Sequence, residues 1–394
     1  MRVRVVSPWY PDYASAYSGV FVEKQVAALR EIGHDVFVDV PHIFPAPPGP
    51  LPKAVTEAMR SLARRSLDAM YASSDGVTYV PTPVPSRGGH MGRAEAMAGA
   101  LGMFEEFRPE AANLVHAHLG MPTGWALART IGDRPLVVTE HQSTIASVLA
   151  EPRSAHGYRE VLHRADAFVC VSDNLRTQIA DALGNWVDER IEIVPNIVDL
   201  TGIAFVERLD PAFQSWIFVG GLVAHKGVQT LMKAFAKYVT DYDPHATLTL
   251  VGDGPLRKWI ETFAASKGLG RSVELAGPVE HVQLGHYLGK ADLMVHLSPA
   301  ETFGIAPLEA IGAGLPVVSL RNNGALDNWG DIEGQCGSLL DLSSGPEQVA
   351  EAVVQLRDAT DRLDPVYGRR VVEERFSAPV VARRLSDIYE RVAA

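Results

Sequence analysis

The sequence predicts an α/β protein with two doubly wound parallel sheets, one in each half of the chain. Short runs rich in Val, Ile and Leu alternate with helical patterns along almost all of its 394 residues, which is the pattern of strand–helix repeats. These runs lack polar alternation, as is typical of parallel strands that are covered on both faces. The chain is also longer than one ordinary domain, and its apolar fraction of 47% is enough for two cores.

The strands are predicted from the bounds of these apolar runs. In the first half they are Val3–Ser7, Asp35–Val40, Val77–Pro81, Leu114–His118, Leu136–His141, Ala167–Ser172 and Ile191–Pro195. After residue 200 they are Trp216–Gly220, Ala246–Gly252, Val273–Gly277, Leu293–Ser298, Val317–Leu320 and Ser338–Leu342.

The domain boundary is predicted in Ile197–Ser215, a stretch without clear periodicity that is the best candidate for a linker. We therefore expect an N-terminal domain over residues 1–200 and a C-terminal domain over residues 201–377. The segment Ala378–Ala394 is predicted as a helix beyond the last strand. The sequence leaves its packing partner open, and a return to the N-terminal domain is one option.

Two proline- and glycine-rich stretches interrupt the first half, Pro41–Pro52 and Pro81–Arg93. We expect irregular loops there, which either border an acceptor site or only cover the domain edge. Arg87 and His90 lie in the second stretch and are the candidates on the acceptor side, together with His118 at a predicted strand end. His116, two residues earlier, is predicted to be structural.

Composition restricts the class of protein. The net charge is −11 and both halves are acidic, which disfavours nucleic acid as a partner. Cys170 and Cys336 are far apart and lack metal-ligand spacing, so we expect buried thiols and a cytoplasmic protein. The chain enters a strand directly and has no long apolar run, so neither a signal peptide nor a membrane span is predicted. Three arginines in Met59–Met70 allow peripheral membrane contact at most, and an ordinary surface helix is the favoured interpretation. Nothing indicates the oligomeric state.

The chemistry is concentrated in the segment ETFGIAPLEA, residues 301–310. It places Glu301 on a strand-to-helix loop and Glu309 in the opening turns of the helix, with Pro307 suited to a first helical turn. A helix N-terminus offers free N–H donors for phosphate, and two carboxylates beside it can hold sugar hydroxyls. The segment VGGLVAHKG, residues 219–227, adds a glycine turn at Gly220–Gly221 and the cation of Lys226. Anion and hydroxyl sites together indicate a nucleotide sugar.

Four segments of the second half stand in the order found in the retaining glycosyltransferases of family 4, which they resemble: Trp216–Gly227, Val251–Pro255, Val273–Val279 and Glu301–Val318. The first half adds Gly19, LVHAH at 114–118, TEH at 139–141 and VPNIVD at 194–199. The resemblance implies the GT-B fold, in which two Rossmann-like domains face each other across a cleft. It also implies that the N-terminal domain binds the acceptor and the C-terminal domain the donor.

The activity implied by the resemblance is transfer of a hexose-type sugar from a nucleotide diphosphate sugar to a hydroxyl acceptor, which is a glycan, a lipid-linked molecule or a secondary metabolite. Transfer retains the anomeric configuration and needs no cofactor or metal. A UDP-sugar is slightly favoured over a GDP-sugar. The donor sugar, the acceptor and the pathway are not predicted.

The resemblance also implies roles for single residues. Glu301 and the amides after it hold the donor sugar, Glu309 holds the ribose, and Lys226 meets the diphosphate. In the N-terminal domain His141 lies against the sugar, and the N–H of Gly19 approaches the phosphate. The implied catalytic residues are Glu301, Lys226 and His141. The implied donor-binding residues are Gly19, Gly220, Gly221, Lys226, Val279, Glu301, Phe303, Gly304, Ile305 and Glu309.

One departure from the family pattern concerns the diphosphate. Family members usually have arginine where this chain has Gly221, so one of two cations is missing. Arg321 is a candidate replacement from another loop. Asn323 and Asp327 are milder departures on the ribose side. Two rival functions therefore stay open: a nucleotide-sugar 2-epimerase on the same fold, and a catalytically impaired sugar-nucleotide-binding protein.

Two other sequence features are weaker indicators of function. Asp241-Tyr242-Asp243 has the form used by metal-dependent transferases, but it lies at a predicted helix exit and is interpreted as a coincidence. The stretch Ser7–Gly19 has no G-x-G-x-x-G pattern, which argues against a dinucleotide site.

Overall fold

The computed structural model describes residues 1–11, 18–46, 56–62, 65, 76–85, 88–106, 112–208 and 212–394. The chain divides into two units, and each contains one parallel sheet. The first unit consists of Met1–Ile197 together with Ala378–Ala394, and the second of Val198–Ser377.

The first unit is built on a seven-stranded parallel sheet with the order β3-β2-β1-β4-β5-β6-β7. Its strands are β1 Arg2–Val6, β2 Asp35–Ala46, β3 Val77–Pro85, β4 Leu114–His118, β5 Leu136–Glu140, β6 Ala167–Cys170 and β7 Ile191–Ile193. The helices of its described residues include Val20–Glu31, Gly89–Glu105, Gly120–Gly124, Trp125–Thr130, Ile145–Leu149, Pro152–Arg164, Asp173–Leu183, Asn185–Arg190 and Ala378–Ala393, and residues 56–62 are helical as well.

The second unit is built on a six-stranded parallel sheet with the order β10-β9-β8-β11-β12-β13. Its strands are β8 Ser215–Val219, β9 Thr247–Val251, β10 Val273–Gly277, β11 Leu293–His296, β12 Val317–Leu320 and β13 Gly337–Leu340. Its helices are Ala224–Lys226, Val228–Asp241, Arg257–Ser266, His281–Lys290, Ile305–Gly312, Asn323–Trp329, Gly330–Ile332, Glu333–Cys336, Pro346–Arg357, Thr360–Arg362 and Pro365–Phe376.

The predicted fold class is confirmed, since every predicted strand is present with ends that differ by a few residues. The central strands are buried along their whole length; β4, β5, β11 and β12 contain no exposed residue. Their runs of Val, Leu and Ile fill the space between the sheet and the helices on its two faces, and this burial is the main source of stability of a doubly wound unit.

The two proline-rich stretches are more regular than predicted. Strand β2 continues to Ala46 and β3 to Pro85, and the two stay paired in parallel to their ends. The prolines of β3 at 81, 83 and 85 are spaced by two, so the missing N–H groups all lie on one side of the strand. Strand β3 is at the sheet edge, where a side without donors is tolerated. Residues 47–52 and 86–87, including Arg87, lie outside the described residues, and the end of the second stretch, 89–93, is the start of the helix Gly89–Glu105 rather than an irregular loop.

The predicted linker is partly tied to the second unit. The N–H of Val206 donates to Ala313 O at 3.1 Å. The guanidinium of Arg208 donates to several carbonyls at helix C-termini, among them Leu288 O and Ala291 O at 2.9 and 2.8 Å. These bonds satisfy carbonyls that the helices leave unpaired, so the second unit begins at Val198 rather than after a free connection.

The last helix, Ala378–Ala393, belongs to the first unit. It packs on Val20–Glu31 and buries Val381, Leu385 and Tyr389 in the core of that unit. The hydroxyl of Tyr389 lies 2.6 Å from Nδ1 of His116 in β4. None of the helices within the described ranges combines the length and hydropathy that a membrane span needs.

Candidate active site

The carboxyl-terminal edge of the second sheet brings together the residues predicted to bind the donor in this unit. Strands β8 and β11 are neighbours there, and the loops that follow them carry most of the set. In doubly wound sheets ligands bind at this edge. The residues are Gly220, Gly221, Lys226, Val279, Glu301, Phe303, Gly304, Ile305 and Glu309.

Lys226 and Glu301 form an ion pair at this edge. The Nζ atom of Lys226 lies 2.6 Å from Oε1 of Glu301, and both side chains are only partly exposed, by 27% and 13%. The buried ring of His296, the last residue of β11, places Nε2 3.5 Å from the same oxygen. Burial lowers the pKa of His296 to about 4, so its ring is neutral at pH 7. Glu301 therefore lies between a cation and a neutral imidazole.

The helix Ile305–Gly312 begins directly beside this pair. Its N-cap residue, Gly304, has the left-handed conformation with φ 85° and ψ 63°, and no side chain caps the first amides. The loop before it is fixed because Asn328 Nδ2 donates to Phe303 O at 2.6 Å and Gly324 N donates to Glu301 O at 3.1 Å. Uncapped N–H groups and the positive end of the helix dipole suit an anion.

Glu309 lies on the same helix and is 6% exposed. Its Oε1 is 3.0 Å from Nε2 of His281, which is the first residue of the helix His281–Lys290. The other ring nitrogen, Nδ1, is 3.9 Å from Oδ2 of Asp199. The second glutamate of the pair is thus also held by a side chain from another element, the first residue of the helix His281–Lys290.

Gly221 lies on the surface two residues after the end of β8, and among the described residues a Cβ atom placed there would meet only Val223 Cγ2, at 3.8 Å. The Cβ atom of a larger residue would therefore meet no backbone atom of the described residues there. Arg321, the candidate replacement, is engaged with other groups. The guanidinium of Arg321 donates to the carboxylate of Glu333 at 3.0 and 3.2 Å and to Leu339 O at 3.2 Å.

A second group of predicted residues lies at the carboxyl-terminal edge of the first sheet. His118 ends β4 and His141 follows β5, and Nδ1 of His118 is 2.9 Å from Nε2 of His141. Both rings are buried. Burial lowers the pKa of His141 to about 3 and that of His118 well below its usual value, so the two rings are neutral and share one hydrogen. Gly19 begins the helix after β1 with φ 71°, and a Cβ atom there would lie 2.2 Å from the carbonyl of Trp9.

His116 and Glu140 support this edge from within the sheet. His116 contacts Thr139 Oγ1 at 2.7 Å as well as Tyr389, and burial lowers its pKa to about 3. The structural role predicted for His116 agrees with this position. Glu140 accepts four hydrogen bonds at 2.8 to 2.9 Å, including one from the amide of His141. Burial raises the pKa of Glu140, and these bonds oppose the rise.

The remaining candidates are less well placed. His90 is partly exposed in the first turn of the helix Gly89–Glu105, and Arg87 lies outside the described residues. Asp241 ends a helix, where it pairs with Lys237 at 2.7 Å, and Asp243 accepts the amide of His245 at 2.9 Å. Cys170 and Cys336 are buried free thiols, and burial raises the pKa of both.

Sequence reasoning missed His281, His296 and Asp199. His296 was hidden in an apolar run, although a histidine as the last residue of a strand is a signal of a site at the strand end. Asp199 stood in a motif that was used only as a family marker, and His281 lies two residues after the predicted donor-binding residue Val279. Their importance depends on contacts between distant segments, which spacing does not reveal.

Comparison with known proteins decides the family. Residues 18–201 match the family model described as Glycosyltransferase Family 4, and residues 205–362 match the model described as Glycosyl transferases group 1. The chain belongs to the family 4 glycosyltransferases. This glycosyltransferase is 28% identical over 389 residues to the glycogen synthase of Mycobacterium tuberculosis, with 94% of this chain and 88% of the relative covered. It is 27% identical over 312 residues to N-acetyl-alpha-D-glucosaminyl L-malate synthase of Bacillus anthracis, with 74% and 78% covered.

The glycosyltransferase also shares its fold with solved structures. Sucrose-phosphate synthase of Thermosynechococcus elongatus superimposes with a TM-score of 0.73 at 18% identity, over 100% of this chain and 99% of that one. Anabaena HepE, solved in complex with UDP, gives a TM-score of 0.68 at 18% identity, over 99% and 100%. The predicted GT-B fold with two Rossmann-like domains is therefore confirmed.

Proposed function

We propose that this glycosyltransferase moves a hexose from a nucleoside diphosphate sugar, with UDP favoured over GDP, to a hydroxyl acceptor and retains the anomeric configuration. The observation that carries the proposal is the pair Lys226–Glu301 beside the uncapped start of the helix Ile305–Gly312. A cation and free amides suit a diphosphate, while the carboxylate suits sugar hydroxyls. The name of the Mycobacterium relative and the UDP bound by HepE support the same donor class.

In the proposed reaction the bond between C1 of the sugar and the phosphate oxygen breaks as the acceptor oxygen bonds to C1. The acceptor proton passes to an oxygen of the leaving phosphate. Lys226 and the amides at Gly304 and Ile305 stabilise the charge that develops on the diphosphate. The phosphate competes with Glu301 for the ammonium group of Lys226, so binding of the phosphate leaves more of the Glu301 carboxylate for the sugar.

In this proposal the ring of His141 acts without a charge. A ring with a pKa of about 3 carries no charge at pH 7 and can only donate or accept a hydrogen bond. A neutral ring does not repel the oxocarbenium-like charge that glycosyl transfer develops at C1. The proposal needs no divalent metal, since Lys226 and the helix amides supply the positive potential at the diphosphate.

Incubation with UDP-, GDP- and ADP-linked hexoses without acceptor tests the proposed function. We expect slow release of nucleoside diphosphate and free hexose, retention of the anomer by NMR, and unchanged rates after addition of a chelator. Glu301→Ala is the control and should lose the release. Interconversion of the sugar at C2 would favour the epimerase, and tight binding without release in every case would favour a sugar-nucleotide-binding protein. An inverted anomer or an absolute need for manganese would contradict the mechanism.

A further inference from the structure

A second contact network, formed by Asp199, His281 and Glu309, lies beside the Lys226–Glu301 pair in the second unit. His281 stands between two carboxylates that come from different segments of the chain. Its Nε2 is 3.0 Å from Glu309 Oε1, and its Nδ1 is 3.9 Å from Asp199 Oδ2. The first distance is that of a direct hydrogen bond, and the second is longer than one.

The network is fixed by close backbone packing. The Oδ1 atom of Asp199 accepts the amide of Thr201 at 2.8 Å, which closes a turn. The next residue, Gly202, packs on the helix that carries His281 so tightly that a Cβ atom on Gly285 would lie 2.1 Å from Gly202 O. The turn and the helix therefore cannot separate or slide without loss of this contact, and the position of His281 between the carboxylates follows from it.

The contact with His281 leaves the two oxygens of Glu309 in different states. Oε1 is engaged by the ring, whereas no described residue donates to Oε2. A carboxylate on its own rotates easily about its last torsion angle, because that torsion has a broad energy profile. A hydrogen bond to one oxygen removes this freedom and fixes the direction of the other oxygen.

We propose that His281 is a positioning residue for ribose recognition, which acts by holding Oε1 of Glu309 so that Oε2 is presented to the ribose hydroxyls of the donor. This inference rests on the proposed function, in which Glu309 binds the ribose. Pre-organisation of a buried acceptor raises affinity because less ordering is needed when the ligand binds. The role concerns ground-state binding, so it should change KM for the donor and leave kcat nearly unchanged.

The experiment compares ribose and deoxyribose ligands. Binding of UDP, ADP and GDP is measured by calorimetry, and the tightest of the three is then compared with its 2′-deoxy and 3′-deoxy forms. We expect His281→Ala to bind the ribonucleotide about tenfold more weakly, a change of about 1.4 kcal/mol. For the deoxynucleotide that the wild type binds more weakly, His281→Ala should change the affinity less than about threefold. That ligand lacks the hydroxyl group that the oriented carboxylate of Glu309 would bind.

Two conservative variants separate the contact with Glu309 from the contact with Asp199. The amide nitrogen of glutamine reaches the place of Nε2, whereas that of asparagine reaches only the place of Nδ1. We expect His281→Gln to restore most of the affinity and His281→Asn to restore little. His286→Ala, an exposed histidine on the same helix, is the matched control and should bind like the wild type.

The outcomes distinguish this inference from the proposed function. A wild type that binds none of the three nucleotides would overturn both. A wild type that discriminates against a deoxynucleotide, together with a His281→Ala variant that discriminates equally well, would overturn the positioning role alone. Equal rescue by Gln and Asn would also overturn it, since the effect would then not pass through Glu309.

Discussion

Lys226 is the residue on which the proposed chemistry depends most directly. Its ammonium group lies 2.6 Å from Glu301 and beside the helix start. We expect Lys226→Ala to lower kcat by roughly 10²–10³-fold, as the loss of one charge-stabilising donor does in other enzymes. Steady-state kinetics with saturating donor measure this. Lys237→Ala, at an exposed pair with Asp241, is the control and should have no effect. A Lys226→Ala enzyme with wild-type kcat would place the diphosphate elsewhere.

Gly221 offers the opposite kind of experiment, a gain of charge. Space around its Cα is open and Arg321 is engaged with Glu333, so the position of the usual arginine is not taken by that residue. We expect Gly221→Arg to tighten binding of the nucleoside diphosphate several-fold, by a charge-assisted bond. Arg321→Ala should leave nucleotide affinity unchanged in both backgrounds. If Arg321→Ala weakened binding and Gly221→Arg repaired it, the two groups would share one role.

Among the single residues, the places of Glu301, Glu309 and Lys226 after the strands could be predicted from the sequence, because each lies in one local strand–turn–helix segment. The partner of Arg321 could not be predicted in this way. Glu333 lies on a helix, and the sequence spacing does not indicate that this helix is near Arg321. His281 and Asp199 are 82 positions apart, and only the folded sheet brings them together. Contacts of this kind depend on tertiary packing and produce no periodic pattern in the sequence.

At the scale of elements, the start of the helix Ile305–Gly312 can be tested through its N-cap. The backbone of Gly304 has the left-handed conformation, and a Cβ atom there would meet no atom of the described residues within 4 Å. A substitution is therefore opposed by backbone strain and not by a steric clash of its Cβ atom. We expect Gly304→Ala to destabilise the second unit by about 1 kcal/mol and Gly304→Asn by less, since Asn tolerates this conformation better. Denaturant unfolding measures the difference. If both variants lost the same free energy of unfolding, the left-handed conformation of Gly304 would not be the cause of the loss.

The elements also show where prediction from sequence succeeds. Strands such as Leu114–His118 and Val317–Leu320 were predicted with their observed ends, because buried parallel strands are continuous apolar runs. Strands β2 and β3 were predicted too short, because proline is read as a strand breaker and only the sheet order shows that β3 is an edge strand. The packing partner of Ala378–Ala393 was open, since an amphipathic helix does not specify which core it joins.

At the scale of the whole molecule, buried neutral histidines couple stability to pH. Burial lowers the pKa of His116 and His141 to about 3, that of His296 to about 4, and that of His118 well below 6.5. The unfolded chain binds protons at these groups near pH 6.5 while the native chain does not. Their contribution to stability is therefore fully present above pH 6.5 and is lost as pH falls from 6.5 toward 3, by up to about 1.4 kcal/mol per pH unit and group.

We expect native protein to take up about 0.7 proton fewer per buried histidine than urea-unfolded protein when both are titrated from pH 7 to pH 5. His116→Gln should reduce that difference by about 0.7 proton. Glu140 acts in the opposite direction, because burial raises its pKa in the folded state, so the native chain binds a proton at this carboxyl at a higher pH than the unfolded chain does. Matching titration curves for native and unfolded protein would show that the rings are accessible to protons in the fold.

The return of Ala378–Ala394 to the first unit has a consequence for synthesis of the protein. A ribosome makes Met1–Ile197 before the helix that fills its core, and all of Val198–Ser377 is made in between. During that interval the nascent first unit displays the apolar surface that Val381, Leu385 and Tyr389 later cover, and surface of this kind makes intermediates prone to aggregate. The second unit is continuous in the chain and can fold before the helix that completes the first unit has been made. The unit that is translated first is thus completed only after the whole of the second unit has been made.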